Sequence, residues 1–360
     1  MTDQLFSTYV VGSLPRLQWV RELIEERKRG KISWEAAERL LDSAVPAAIA
    51  MQERAGVDYI SDGEWRRESY VKVFADAVDG FGYDLHVEGA THRASQLPYP
   101  AVVSKIKPRK PIAADEARFL KQHTKAKTIV AIPSPYTVGR RMWTAEHSTK
   151  AYPKREEFME ACIPIIRQEV KRLVDIGVEA IQLDDPWLAL LVDPEYRERE
   201  GIKDADKEKA LSVHCVNEVT KGFDNVAFSV HLCHAHFNRK HGTVGPYDLI
   251  IDALAPMNVQ RFAMEFATPD AGGIGVLKRF PKNKVLGLGC IDHTDKNVET
   301  PEQVVQRVEA AMEMVPKENI TLNPDCGFSP SSSNPMDLDE AYLKLKSMSQ
   351  AAQLLREKHG

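Results

Sequence analysis

A histidine and a cysteine two positions apart on a strand point to the same face. His231 and Cys233 stand in that relation in His231-Leu232-Cys233. A lone Cys326 follows far downstream in Asn323-Pro324-Asp325-Cys326-Gly327, and Glu265 lies between them in Met264-Glu265-Phe266. Imidazole, thiolate and carboxylate are all accepted by zinc in tetrahedral geometry, so His231, Cys233, Glu265 and Cys326 form a candidate Zn2+ site. With two thiolates and a carboxylate the ion would be electron-rich, a poor acid for splitting water. It suits instead the holding of a substrate thiol as a nucleophilic thiolate, because coordination deprotonates a thiol outright. On spacing alone these are also ordinary buried residues, cysteine being among the most buried types. What favours the metal is that all four fall at the ends of predicted strands.

Further polar residues gather near the same strand ends. Glu64 in Asp62-Gly63-Glu64 and Asp184 in Asp184-Asp185-Pro186 can grip an amine or act as acid and base. A sugar-cleaving pair would use Glu64, Asp184 and Glu265 but leaves the cysteines idle. Asp185 reads as a solvated loop residue. Gly12-Ser13 and Ser134-Pro135 are tight turns, able to offer backbone N–H groups to a carboxylate. Asp292-His293 can supply a proton donor. His234 should point away from the His231 face if the strand continues. His236 is a second partner or alternative ligand, and both read more simply as surface or loop histidines. Arg140 and Arg141 can meet an anion, with solvated surface arginines as the plainer reading. Gly287-Leu288-Gly289 lacks the third glycine of a dinucleotide fingerprint, and 272–275 reads as loop.

The elements that must position these groups alternate. Short apolar runs at 9–13, 59–64, 128–133, 180–184, 227–233, 261–266, 284–290 and 320–324 read as strands. Helical patterns occupy roughly 17–55, 158–176, 207–219, 301–314 and 339–355. This predicts a parallel β/α architecture with helix-covered strands, closed as a (β/α)8 barrel, an open doubly wound sheet being the other arrangement. A barrel takes roughly 250 residues, which leaves room within the chain of 360 for an insertion. Residues 65–127 are that segment, with a hairpin strand at 101–106. The expectation is one barrel domain over 1–360. A net charge of −4 offers no basic surface for nucleic acid. No apolar run reaches the length of a membrane span and no signal peptide is evident. Five sparse cysteines do not read as a disulfide framework and fit a reducing cytoplasm.

At these residues the chain resembles the cobalamin-independent methionine synthase family, in its catalytic barrel. The matching motifs, in order, are Val11-Gly12-Ser13-Leu14-Pro15, Asp62-Gly63-Glu64, Gln182-Leu183-Asp184-Asp185-Pro186, His231-Leu232-Cys233 with Phe237-Asn238, Glu265, Gly287-Leu288-Gly289 through Asp292, and Asn323-Pro324-Asp325-Cys326-Gly327. The resemblance covers residues 9–355. It implies a TIM barrel of the methionine synthase and uroporphyrinogen decarboxylase type, zinc on His231, Cys233, Glu265 and Cys326, and methyl transfer to a small thiol, usually homocysteine. It also implies that Gly12, Ser13 and Glu64 contact the amino-acid acceptor, with Asp184 a partner for its ammonium. The family's folate-stacking tryptophan falls on or near Arg141, and its proton-donating histidine aligns with Thr294, one position from His293. The methyl donor implied is methyl-folate or a methylated corrinoid protein. Relatives that alkylate coenzyme M or open epoxides share the zinc pattern. A metal-free barrel lyase or hydrolase, and a binding protein stapled by zinc, are the other classes.

Overall fold

The computed structural model describes residues 4–87, 99–329 and 336–360. Strand β1 (Tyr59–Ile60) is followed by an antiparallel pair, β2 (Val78–Val87) and β3 (Tyr99–Pro108), then by β4 (Lys127–Pro133), β5 (Ala180–Asp184) and β6 (Ala227–Leu232). A second short antiparallel pair, β7 (His236–Phe237) and β8 (Lys240–His241), precedes β9 (Arg261–Glu265), β10 (Val285–Ile291) and β11 (Ile320–Pro324). Strands β1, β4, β5, β6, β9, β10 and β11 lie side by side in that order, all parallel. Every residue of β5, β9 and β11 is buried, as strands covered on both faces must be.

Residues 7–9 join the two edges of this sheet. Thr8 bridges Leu322 of β11 and Tyr9 bridges Tyr59 of β1, both in parallel sense. The bonds are Tyr9 N–H to the Leu322 carbonyl at 3.1 Å, Leu322 N–H to Ser7 at 2.9 Å and Tyr59 N–H to Thr8 at 3.0 Å. The curled sheet is thereby a TIM-type barrel, and the open-sheet alternative is set aside. The first two strands are shorter than the apolar runs suggest. Gly12 at φ 66°, Gly63 at φ 71° and Glu64 at φ 56° turn the chain out of extended geometry.

Helices cover the outside, and their ends follow local chemistry. Residues 17–55 split into Gln18–Lys28 and Trp34–Ala55 around Gly30 at φ 65°, with the Ser33 hydroxyl capping the second helix. Helix Arg155–Ile176 ends on Gly177 at φ 84°, Ala205–Thr220 starts under Asp204, Pro301–Met312 under a Thr300–Gln303 capping box, and Leu338–His359 under Asp337. Between β1 and β4 the chain adds helix Lys72–Ala77, the β2–β3 pair and helix Ala114–His123. Buried Glu169 accepts from the N–H groups of Ala113 and Ala114, both at 2.7 Å, and ties that last helix to Arg155–Ile176.

The glycines of β10 have a packing role. A Cβ on Gly287 would lie 2.0 Å from the Tyr9 hydroxyl, and one on Gly289 would lie 2.3 Å from Asp325 Oδ1. Both positions therefore leave room for side chains from neighbouring staves, which is why no phosphate-binding turn forms here. Among the described residues no helix is long and apolar enough to cross a membrane.

Candidate metal centre at the barrel mouth

Strand β6 stops at Leu232, one residue before Cys233. Ala235 then adopts φ 54°, a left-handed conformation uncommon for a residue with a Cβ. The chain doubles back through the β7–β8 hairpin, whose two turn residues, Asn238 and Arg239, have φ 49° and 62°. Arg239 grips both carboxylate oxygens of Glu340 at 2.9 and 2.5 Å, which fixes the hairpin to helix Leu338–His359. His234 consequently does not point away, and neither it nor His236 is a surface residue. His234 Nδ1 lies 2.7 Å from Glu265 Oε2 and its Nε2 lies 3.0 Å from the Gly245 carbonyl. His236 Nε2 lies 2.5 Å from Glu265 Oε1. The crowding of His231, His234, His236 and His241 was the available signal; the strand break that turns them inward was not visible.

Donor atoms of Cys233, His236, Glu265 and Cys326 all lie within 4.8 Å of one another, and all four residues are buried. Three of the four expected ligands thus come together. His231 stands beside them, outside that mutual range, with Nδ1 3.1 Å from Asp184 Oδ1. Its Nε2 is buried without a hydrogen-bond partner. One ring nitrogen on a carboxylate and the other unspent is how a metal-ligating histidine is typically oriented. Two sulfurs, a carboxylate and imidazoles are donors that suit zinc.

The electrostatics are those of a tightly coupled cluster. A hydrogen bond from the Cys326 thiol, with the charge of His231 adding to it, holds Cys233 well below the ordinary thiol range against the cost of burial. The same bond, together with burial, pushes Cys326 well up. Burial opposes a charge on His231, but the Cys233 thiolate and the Asp184 bond raise it overall. Burial also works against charge on Glu265, yet the His236 and His234 imidazoles hold its carboxyl well below the usual range. His293 is buried edge-on to His236, with ring centroids 3.8 Å apart, and burial followed by the neighbouring His236 keeps it well below the usual histidine value. Asp292 Oδ1 accepts from the Thr294 N–H at 2.7 Å and its hydroxyl at 2.6 Å, so this carboxylate shapes its own turn.

Next to the sulfurs lies a second group of polar atoms. Ser13 Oγ donates to Glu64 Oε2 at 2.5 Å, and Gln182 Nε2 donates to Asp184 Oδ1 at 2.8 Å. Glu64 Oε1 and Asp184 Oδ2 are buried and make no hydrogen bond; Glu64 Oε1 forms an ion pair with Arg67 Nη1 at 3.5 Å. Burial raises the Glu64 carboxyl, Arg67 lowers it, and the charge of Asp184 raises it further. The turn that presents Glu64 is held by Arg16, whose Nη2 donates to the Glu64 and Arg67 carbonyls at 2.8 and 2.9 Å. Gly12 passes close to Gly327, where a Cβ would meet Ser13 N at 2.8 Å.

Two plain readings need correction. Asp185 is no solvated loop residue: it is fully buried and accepts from Ser134 at 2.8 Å, Thr137 at 2.8 Å and Ser212 at 2.5 Å. The Ser134 hydroxyl is thus engaged with Asp185, and it also caps helix Pro135–Met142 by accepting from Thr137 N–H at 3.0 Å. Burial raises Asp185 from 3.8 to about 6 despite its hydroxyl partners. Between those values the folded chain keeps a proton that the unfolded chain has released. Stability should therefore fall as pH rises from about 4 to 6, by up to about 3 kcal/mol from this group. Urea unfolding across pH 4–7 tests this, and an Asp185→Asn variant that kept the full slope would refute it. Arg140 and Arg141 are not on the surface either. Arg140 bonds the Tyr196 hydroxyl at 3.0 Å, and Arg141 lies 3.8 Å over the Tyr99 ring and 5.0 Å from that of Trp187.

A closed parallel barrel that gathers two thiols, a carboxylate and imidazoles at the carboxyl ends of its strands is the architecture of a metal-dependent barrel enzyme. The sequence comparisons carry this to a family. The chain belongs to the cobalamin-independent synthase family: residues 6–354 match its catalytic domain. It is 30% identical over 356 residues to a methionine synthase of Saccharolobus solfataricus, covering 98% of this chain and 96% of that protein. It is 32% identical over the same length to one of Saccharolobus islandicus, with the same coverage. The solved structure of a B12-independent methionine synthase from Shewanella sp. W3-18-1 in complex with selenomethionine superposes with a TM-score of 0.83. That match has 22% identity and covers 98% of both chains, and it bears out the fold.

Proposed function

We propose that this protein is a zinc-dependent methyltransferase that methylates the sulfur of homocysteine to give methionine. The observation that carries the reading is the buried set of Cys233, Glu265 and Cys326, joined through His231 and Asp184 to two buried carboxylates: Asp184 Oδ2 has no hydrogen-bond partner, and Glu64 Oε1 has only the Arg67 ion pair at 3.5 Å. His231, Cys233, Glu265 and Cys326 would hold the metal. Bound zinc supplies a lowered thiol pKa and keeps the substrate sulfur nucleophilic.

The chain's own residues do the rest. Glu64 Oε1 and Asp184 Oδ2 accept the ammonium of the amino-acid substrate. An incoming cation relieves the repulsion that these two carboxylates exert on one another. Ser13 fixes Glu64 by its 2.5 Å bond, and the Gly12-Ser13 turn offers backbone N–H groups to the substrate carboxylate. Asp184 also sets the tautomer and tilt of His231 through the 3.1 Å contact to Nδ1. Neutral His293 beside the cluster, with Asp292 shaping its loop, moves a proton on the donor side. Ser134 acts through Asp185, the residue next to Asp184; the Ser134 hydroxyl donates to Asp185 at 2.8 Å. The methyl donor is methyl-folate or a methylated corrinoid protein. The protein works in the cytoplasm, a setting that suits its five free cysteines. Residues 1–360 make one barrel domain in which 65–127 is the insertion.

The test is a titration of zinc-loaded protein with homocysteine and with coenzyme M, followed by X-ray absorption at the zinc edge. Homocysteine should add one sulfur to the metal shell, and methionine should form once a methyl donor is present. No added sulfur with either thiol would sink the reading; added sulfur with coenzyme M alone would replace homocysteine as the acceptor.

A further inference from the structure

We propose that His236 is itself a donor to the metal, so that the centre has five protein donors and two imidazoles. This rests on the zinc reading above but names a residue outside the His231, Cys233, Glu265 and Cys326 pattern.

Three observations carry it. First, His236 lies with Cys233, Glu265 and Cys326 in the group of donor atoms within 4.8 Å of one another, while His231, just outside that range, joins the set through its buried and unpartnered Nε2. Second, the backbone is shaped to bring His236 there. Had β6 continued, alternation would have set the residues after Cys233 on opposite faces. Instead a left-handed Ala235 and the two left-handed turn residues of the β7–β8 hairpin return the chain to the mouth, and the Arg239–Glu340 pair fastens the hairpin tip. Left-handed conformations at residues with a Cβ are sparsely populated and concentrate at functional sites. Third, the ring is walled in. His241 packs against it at a centroid distance of 4.5 Å and His293 at 3.8 Å, both edge-on. One nitrogen lies 2.5 Å from Glu265 Oε1, a candidate ligand atom, and the other is buried without a hydrogen-bond partner. A buried imidazole with an unspent nitrogen costs free energy unless something binds it.

The chemistry is consistent with the rest of the centre. A neutral imidazole adds a donor without changing the charge of the set. Zinc accepts five donors, although four is its usual number. With His236 among them, the residues that would hold the metal number one more than a tetrahedron needs, so that Glu265 would be the donor the centre could spare. The carboxylate has a resting partner, because Glu265 Oε2 remains 2.7 Å from His234 Nδ1.

The experiment compares zinc-loaded wild type with His236→Phe, which keeps a ring between His241 and His293 but removes both nitrogens. His241→Phe, on the same hairpin, is the control for disturbed packing. Zinc affinity is read by competition with a chelator, and imidazole outer-shell scattering by X-ray absorption. We expect two imidazoles in wild type and one in His236→Phe, with affinity for zinc lowered by more than the roughly 10- to 100-fold that an outer-shell partner is worth, and a wild-type spectrum in His241→Phe. An unchanged imidazole shell in His236→Phe, whatever its affinity, would overturn the proposal and leave His236 as a residue that only positions Glu265, a role whose loss lowers affinity by about 10- to 100-fold. A wild-type protein with no stoichiometric zinc would overturn the functional reading, and this proposal with it.

Discussion

Replacing Cys326 with serine is expected to strip the protein of stoichiometric zinc and of methyl transfer. The hydroxyl is not ionised near neutral pH, so a thiolate ligand disappears. Loss of an outer-shell partner alone lowers metal affinity by about 10- to 100-fold, and loss of a direct ligand should exceed that. Chelator competition measures the affinity, and metal analysis after dialysis measures the occupancy. Thermal unfolding should change less, since the serine still fills most of the volume. Retention of one tightly bound zinc per Cys326→Ser chain would show that Cys326 is not a ligand.

Asp325→Ala should produce the largest loss of stability among changes near the mouth. The Asp325 carboxylate accepts the N–H groups of Phe266 and Ala267 at 3.0 Å, with a further contact of 3.1 Å to Ala267. It thereby clamps the end of β9, which carries Glu265, to the end of β11, which leads into Cys326. Alanine leaves two N–H groups unpartnered where the wild type pairs them, at about 1–3 kcal/mol each, and so a loss of about 2–6 kcal/mol. That is a large part of the roughly 5–15 kcal/mol that holds a typical domain together. Asp325→Asn should recover most of it. Burial, followed by the charge of Glu265, pushes the Asp325 carboxyl well up, so a neutral amide of the same shape resembles the group already present. Urea unfolding of both variants tests the clamp, and equal destabilisation by alanine and asparagine would contradict it.

Much of this arrangement could be read from residues alone. Strands β5 and β11 have the limits that their apolar runs suggest, and β4, β6, β9 and β10 differ by a residue at one or both ends. Buried parallel strands declare themselves because both faces must be apolar. The first strand was harder. Its apolar run persists to residue 13, but the bridges to β11 and β1 are made by residues 7–9, and beyond Gly12 the backbone bonds instead to the site turns at Gly63 and Ser329. Cys233, Glu265 and Cys326 were found from ligand chemistry and their places at strand ends. Strand alternation carried past Leu232 turns His234 away, and a loop reading leaves His236 at the surface; a left-handed Ala235 ends the strand instead, and no residue type marks that break as glycine would. Asp185 was misjudged for another reason. A carboxylate in a loop reads as solvated unless its three hydroxyl partners are known, and those come from sequence positions as far apart as 134 and 212.

The seam made by residues 7–9 bears on how the protein comes into being. A nascent chain that has reached β10 already carries His231, Cys233 and Glu265, but the stave bearing Cys326 has yet to be made. When β11 arrives, it pairs with β10 on one side and with residues near the amino terminus on the other. Contacts between positions as remote as 8 and 322 are slow to form, because a long loop must close before they are rewarded. The donor set is therefore completed by the same event that seals the ring. Zinc offered during synthesis should be captured late, and its uptake can serve as a clock for the final step of folding.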